Sequence, residues 1–212
     1  MDRTPVTLEG KAADYAFAIA FAVLGLVPLI AFLREGGALA LAQLEALASM
    51  PLAFLACYSF VIRSPAKVPA YTDEILVPLL SYLSPLLLLN LTLLVPASHS
   101  DPWLALLFLP GLMIALLSFV ALRRSFAVLP SIRGIVTTGP YRWVRHPLYL
   151  GEVIYVMGMM LLAYNLLSWL IYLICIVLML LRIQMEERKL LTQEEYREYA
   201  RNVRYRMLPY VY

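Results

Sequence analysis

LYLGEVIYVMGMMLLAYNLLSWLIYLICIVLMLL, residues 148–181, runs almost without a polar interruption. One membrane crossing takes about 20 mostly apolar residues. The stretch is too long for one crossing and long enough for two helices joined by a tight turn. Ala163-Tyr164-Asn165 is its polar break and therefore the expected turn. The reading is an all-α integral membrane protein whose C-terminal part contains a helical hairpin.

Working outward supports that class. Hydrophobic residues make up 62% of the 212, well above the roughly 45–50% of a soluble domain. Four further apolar spans precede the hairpin, at 15–33, 43–62, 75–96 and 103–122. That makes about six transmembrane helices. Gln43 and Glu45 open the second span, and five crossings result if 39–62 lies partly in the interface.

Basic residues test the layout. With six spans and the N-terminus inside, all of the 17 lysines and arginines except Arg34 fall on the cytoplasmic side, as the positive-inside rule requires. Both termini and the 123–147 loop are therefore expected in the cytoplasm. Ala38-Leu39-Ala40 resembles a signal-cleavage site, but the segment before it is long and carries Asp2, Glu9 and Asp14. The first span is accordingly read as retained.

Several function classes drop out. Cys57 and Cys175 lie inside spans, and His99 and His146 fall on opposite sides of the membrane, so neither a disulfide framework nor a zinc site is expected. No P-loop and no strand–GxGxxG–helix unit is present. The net charge of +3 follows membrane topology and does not form a nucleic-acid surface. There is no evident transporter-like repeat.

Residues 1–122 read as a transmembrane scaffold. Pro28, Pro51, Pro78, Pro85, Pro96 and Pro110 lie in or beside its spans, where helices tolerate proline. Asn90 is polar at mid-span, the usual sign of a bond to a neighbouring helix. Arg63 to Pro69 form a short linker.

Residues 123–212 carry the chemistry, as a motif loop 133–147, a hairpin 148–191, and a short cytoplasmic helix with a lid at 192–212. Gly139-Pro140 is a turn signal, and Pro147 suits the first position of a helix. A helix starting there offers unpaired N–H groups to a carboxylate or phosphate, with His146 as a flanking donor. Tyr149 and Glu152 share one helix face, with Tyr155 a step further. Glu152 lies close to the bilayer, where an ionisable group marks function by default. Taken singly, Arg142 and Arg145 are ordinary positive-inside anchors, and Tyr141, Trp143 and Tyr149 an interfacial belt. Crowded together at a helix N-terminus, they point to a binding site.

The last span continues as LLRIQMEERKLL into the cytoplasm, with Arg182 and Glu186 four apart and Glu187 and Leu190 on an adjoining stripe. Such a pair can simply be a surface ion pair. Thr192 and Glu195 then match a capping box, which predicts a break near Thr192 and a helix over 193–201. That helix would fold back and bring Tyr196 and Tyr199 to the hairpin's entrance, sealed by Leu208-Pro209 and Tyr210-Val211-Tyr212.

GPYxxxRHPxYxG at 139–151, followed by RxxxEExxL at 182–190, resembles the membrane methyltransferases that include isoprenylcysteine carboxyl methyltransferases and phospholipid N-methyltransferases. The resemblance covers roughly 122–212. It implies S-adenosylmethionine in a cytoplasm-facing pocket made by the last two spans and the C-terminal segment. It also implies a lipophilic acceptor entering from the bilayer, with neither metal nor nucleic acid involved. By the same resemblance, His146 and Tyr149 would hold the cofactor's carboxylate and Glu187 its amino group, with Glu186 close by. Arg145 would shape the loop, Pro147, Gly151 and Leu190 would border the cofactor, and Leu208 would cover the adenine. Arg182 and Glu186 would serve the reaction, with Arg182 orienting the acceptor and pairing with Glu186 when the site is empty. The resemblance assigns Glu152 no role: from its place on the helix it contacts substrate together with Tyr155, or it satisfies Arg142 or Arg145. Family members often place an aromatic residue and a glycine before the last helix; Thr192 stands there in a shorter connection. Integral-membrane sterol reductases share RHPxY-like elements and a similar C-terminal ending, which keeps an NADPH-dependent reductase as one alternative. A non-catalytic membrane binding or transport protein is another.

Overall fold

The computed structural model describes residues 11–34, 41–82, 84–85, 106–163 and 165–211. Asn90, His99, Tyr164, Tyr212, the side chains of Gln43 and Glu45, and parts of the 75–96 and 103–122 spans lie outside the described residues. All regular structure among the described residues is helical, apart from one isolated bridge between Val68 and Ile132.

Helices α1 (Lys11–Arg34) and α2 (Leu41–Ile62) pack against each other and run through Pro28 and Pro51. A helical stretch follows at 76–82, then α3 (Phe108–Leu122), α4 (Pro147–Ala163), α5 (Leu166–Leu190) and the short α6 (Glu194–Asn202). Three helical segments are long and apolar enough to cross a membrane: Lys11–Arg34, Phe108–Ser125 and Leu166–Leu190.

The hairpin forms where the polar break predicts. α4 starts at Pro147 and ends at Ala163. Asn165 then caps α5, its side chain accepting the Ser168 N–H at 2.9 Å. The cap supplies a partner for one of the N–H groups that a helix start leaves open.

α4 lies along α3 almost backbone to backbone. A Cβ on Gly111 would sit 2.3 Å from the Tyr155 nitrogen, and one on Gly158 2.6 Å from the Phe108 Cβ. Gly151 belongs to the same seam, where a Cβ would approach the Ala115 nitrogen at 2.6 Å. Small residues allow this approach, which is how helices associate where lipid offers no hydrophobic gain. Phe108, Tyr155, Val156, Met160, Ile171 and Cys175 build the core beside the seam.

Two connections are tied together on one side. Ile132 donates to the Val68 carbonyl at 3.0 Å, the Ser64 N–H reaches the Arg124 carbonyl at 3.0 Å, and the Arg133 guanidinium bonds the Ser64 carbonyl. Lys189, near the end of α5, pins the pair. Its buried ammonium donates to Glu74 at 2.5 Å and to the carbonyls of Pro69 and Pro130 at 2.6 and 2.8 Å, beneath the Tyr71 ring.

The capping-box expectation is corrected here. α6 begins at Glu194 with Gln193 as N-cap, one residue later than 193–201 implies. The Thr192 hydroxyl donates backwards to the Lys189 carbonyl at 2.7 Å. It closes the end of α5, whose last carbonyls need partners, and leaves α6 without a side-chain cap. The C-terminal lid differs too. Leu208, Tyr210 and Val211 are exposed, and Met207 takes the buried place against Tyr149, Met179 and Ile183.

Candidate functional site

The Arg145–His146 backbone, just before α4, pairs with the chain after α6. The Arg145 N–H donates to the Tyr205 carbonyl at 2.9 Å and the His146 N–H to the Arg206 carbonyl at 2.7 Å. The Arg145 side chain also reaches the Val203 and Arg204 carbonyls at 3.0 and 3.2 Å. A cation there meets the partial negative charge at the C-terminus of α6. The C-terminal segment is thereby fastened to the entrance of the hairpin.

Glu187 organises this junction. Its Oε1 accepts from Arg145 Nε at 2.8 Å and the Tyr196 hydroxyl at 2.8 Å, with His146 Nε2 at 3.1 Å. Its Oε2 takes Arg145 Nη2 at 3.1 Å and Arg206 Nε at 3.3 Å. Two guanidinium groups, an imidazole and a phenol thus surround this buried carboxylate. Burial, joined by the Glu187 charge, pushes the Tyr196 phenol well above its usual range. Burial also raises Tyr199, against the pull of Arg145. Both phenols therefore remain donors, and Tyr199 gives its proton to the Tyr141 carbonyl at 2.5 Å.

Glu186, the preceding residue, has a different setting. One of its oxygens accepts the Tyr149 hydroxyl at 2.5 Å and Arg182 Nε at 3.1 Å. Its other oxygen has no protein partner among the described residues. Arg182 is fully buried, its guanidinium 4.4 Å from the Tyr82 ring centre and 5.0 Å from that of Tyr149, with a bond to the Val128 carbonyl at 3.0 Å. Stacked aromatic faces and a carboxylate suit a planar guanidinium removed from water.

These groups line one cleft, whose space is about 870 Å³ when counted out to its open mouth. Arg145, His146, Tyr149, Arg182, Glu186 and Leu190 all border it. Glu187 does not; it stands behind the wall, in the ion network. Pro147 is buried at the start of α4, Gly151 faces the α3 seam, and Tyr155 packs edge-on against Phe108 at 6.0 Å. Leu208 is exposed away from the cleft. Glu152 is half-buried on α4 and makes no hydrogen bond or ion pair among the described residues. No three His, Cys, Asp or Glu side chains gather to hold a metal among the described residues.

Sequence reasoning passed over four contributors: Tyr82 against Arg182, Arg206 on Glu187, and the Lys189–Glu74 pair. A tyrosine inside an apolar span was a usable signal for the first. Nothing local marks the others, whose partners are distant in the chain.

Residues 105–192 match the model of the isoprenylcysteine carboxyl methyltransferase family. No curated protein matches the chain. The matched segment contains α3, the 139–151 motif and α5 up to Glu186 and Glu187, and therefore most of the cleft wall. Over residues 105–192, less than half of its length, the chain thus resembles the isoprenylcysteine carboxyl methyltransferase family.

Proposed function

We propose that the protein is an S-adenosylmethionine-dependent methyltransferase acting on a lipophilic acceptor, such as an isoprenylcysteine-type carboxylate, that enters from the bilayer. The observation that carries this is Glu186: a carboxylate with one oxygen held by Tyr149 and Arg182 and the other open, on the wall of the cleft.

The residues fit such a cofactor. Its ammonium needs a carboxylate with a vacant oxygen, and Glu186 has one. Its carboxylate needs donors, and the first turn of α4 supplies unpaired N–H groups beside His146. Its sulfonium favours aromatic faces, and Tyr141, Tyr149, Tyr196 and Tyr199 border the cleft. Glu186 replaces Glu187 as the ammonium partner in this assignment, because both oxygens of Glu187 are already engaged. Glu187 then acts by holding Arg145 and His146 in place.

The bound cofactor supplies an already activated methyl group, so little acid–base work falls to the protein. Arg182 has the position and charge to orient an acceptor carboxylate, with Glu152 on the neighbouring turn of α4. Apolar side chains, Leu148 and Leu190 among them, also line the cleft. Alignment and dehydration are the contributions expected of such a site. In this reading residues 1–122 are scaffold, 123–212 form the catalytic part, and six crossings leave both termini in the cytoplasm.

The test is a titration of the detergent-purified protein with S-adenosylmethionine, S-adenosylhomocysteine and NADPH, followed by heat release. Saturable binding of the first two is expected. In Glu186→Gln that affinity should fall roughly ten- to hundredfold, the worth of a hydrogen bond to a charged group at about 1.5–3 kcal/mol, with thermal unfolding unchanged. Binding of NADPH alone would move the assignment to a reductase, and binding of none to a non-catalytic role.

A further inference from the structure

The turn Gly139–Arg142 has two sides. Tyr141 borders the cleft, whereas Arg142 and Trp143 join Leu117, Val120, Arg123 and Thr138 around a second, shallower concavity. No acidic side chain among the described residues lines it. Arg123 and Arg142 are both exposed, and their side chains make no hydrogen bond or ion pair among the described residues. The Arg142 guanidinium lies 4.6 Å over the Trp143 ring, leaving its N–H edges open. The Thr138 hydroxyl makes no capping bond to the turn that follows it.

The concavity opens onto an apolar track. Leu109, Met113, Leu117 and Val120 recur at helical spacing on one face of α3, and each is 42–55 % exposed. They extend over about 16 Å at the α-helical rise per residue. α3 belongs to one of the three segments fit to cross a membrane, so this face meets acyl chains. Arg123 follows the last residue of α3, at the end of the track.

We propose that this concavity is a binding site for an anionic phospholipid. The phosphate sits between Arg123, Arg142 and the Thr138 hydroxyl, and one acyl chain lies along the Leu109–Val120 face of α3. Charge complementarity selects the headgroup, and continuity with the apolar face selects a lipid over a free anion. An ordinary interfacial belt would also place arginine and tryptophan at this depth, but it would show no headgroup selectivity. The site is separate from the cleft and does not rest on methyl transfer.

The experiment measures binding of fluorescent phosphatidylglycerol and phosphatidylcholine to the full-length protein in neutral detergent micelles. Phosphatidylglycerol should bind more tightly. Each arginine should contribute roughly fivefold to that preference, the factor corresponding to about 1 kcal/mol per basic residue at an anionic surface. The Arg123→Ala/Arg142→Ala double variant should therefore lose most of it, whereas Arg142→Lys retains most. Arg201→Ala, which removes an exposed charge from α6, should leave it intact. Thr138→Glu, on an exposed loop position, should abolish the preference by repulsion and gives a second reading if the double variant folds poorly. An equal preference in the double variant and in Arg201→Ala would overturn the site. Displacement by millimolar inorganic phosphate would overturn its identity as a lipid site.

Discussion

Glu186 and Glu187 are neighbours on one helix, yet they belong to regions built on different principles. Around Glu187, Arg145, His146, Tyr196 and Arg206 occupy both oxygens, and the region is closed on itself. Around Glu186, Tyr149 and Arg182 occupy one oxygen, and the residue itself borders the cleft. A satisfied buried network is architecture: it defines one arrangement of the hairpin entrance and the chain after α6. Glu186 is the less enclosed of the two, its side chain 18 % exposed against 4 % for Glu187, so solvent in the cleft can serve its second oxygen. The difference separates a group that holds the site together from a group that a ligand in the cleft could still reach.

The most severe way to break that contrast is to remove the closed network. Glu187→Ala removes the carboxylate that Arg145, His146 and Arg206 share. Breaking a buried pair from one side costs about 3–5 kcal/mol, and we expect a loss of that order in chemical unfolding of the solubilised protein. If the variant unfolds like the parent but no longer binds S-adenosylhomocysteine, the roles of the two glutamates are reversed. Next comes Lys189→Met, which strips Glu74 of its ammonium and frees the tie between the 63–74 and 123–133 connections. We expect a stability loss of roughly 3 kcal/mol, with the cofactor affinity that remains in the folded fraction little changed. A selective loss of affinity would make the latch part of the cleft. The smallest change sharpens the open region alone. Tyr149→Phe deletes one hydrogen bond to Glu186, worth about 1 kcal/mol, and should weaken cofactor binding several-fold in calorimetry while leaving unfolding nearly unaltered. No change in affinity would return Tyr149 to the interfacial belt.

Much of the frame is legible in the chain. An apolar run too long for one crossing, broken at Ala163-Tyr164-Asn165, specifies a hairpin, and Asn165 is an evident cap. His146-Pro147 marks the start of α4 because proline is compatible with a first turn and little else in a helix. The Arg182–Glu186 pair follows from a spacing of four. Thr192 shows where local reasoning stops. Its sequence context fits an N-cap, but its hydroxyl finds the Lys189 carbonyl of the helix before it. Both bonds satisfy a helix end, and sequence spacing does not rank them. Gly151 is similar. The motif that contains it suggests a place by a ligand, while the structure uses its missing Cβ to bring α3 and α4 into contact.

By itself the sequence determined the helical class, the hairpin, the entrance at Pro147 and the set of polar side chains available there. These depend on run length, period and neighbouring residues, which are local quantities. Only the tertiary structure decided which of two adjacent carboxylates faces the cleft. Successive residues on a helix point about 100° apart, so the choice rests on how α5 is rotated and on what reaches it. Arg206 and the backbone at 203–206 arrive from beyond α6 and close the surroundings of Glu187, and Tyr82 arrives from the N-terminal half to support Arg182. Contacts between segments so far apart along the chain leave no periodic mark in it, because their geometry is set by packing.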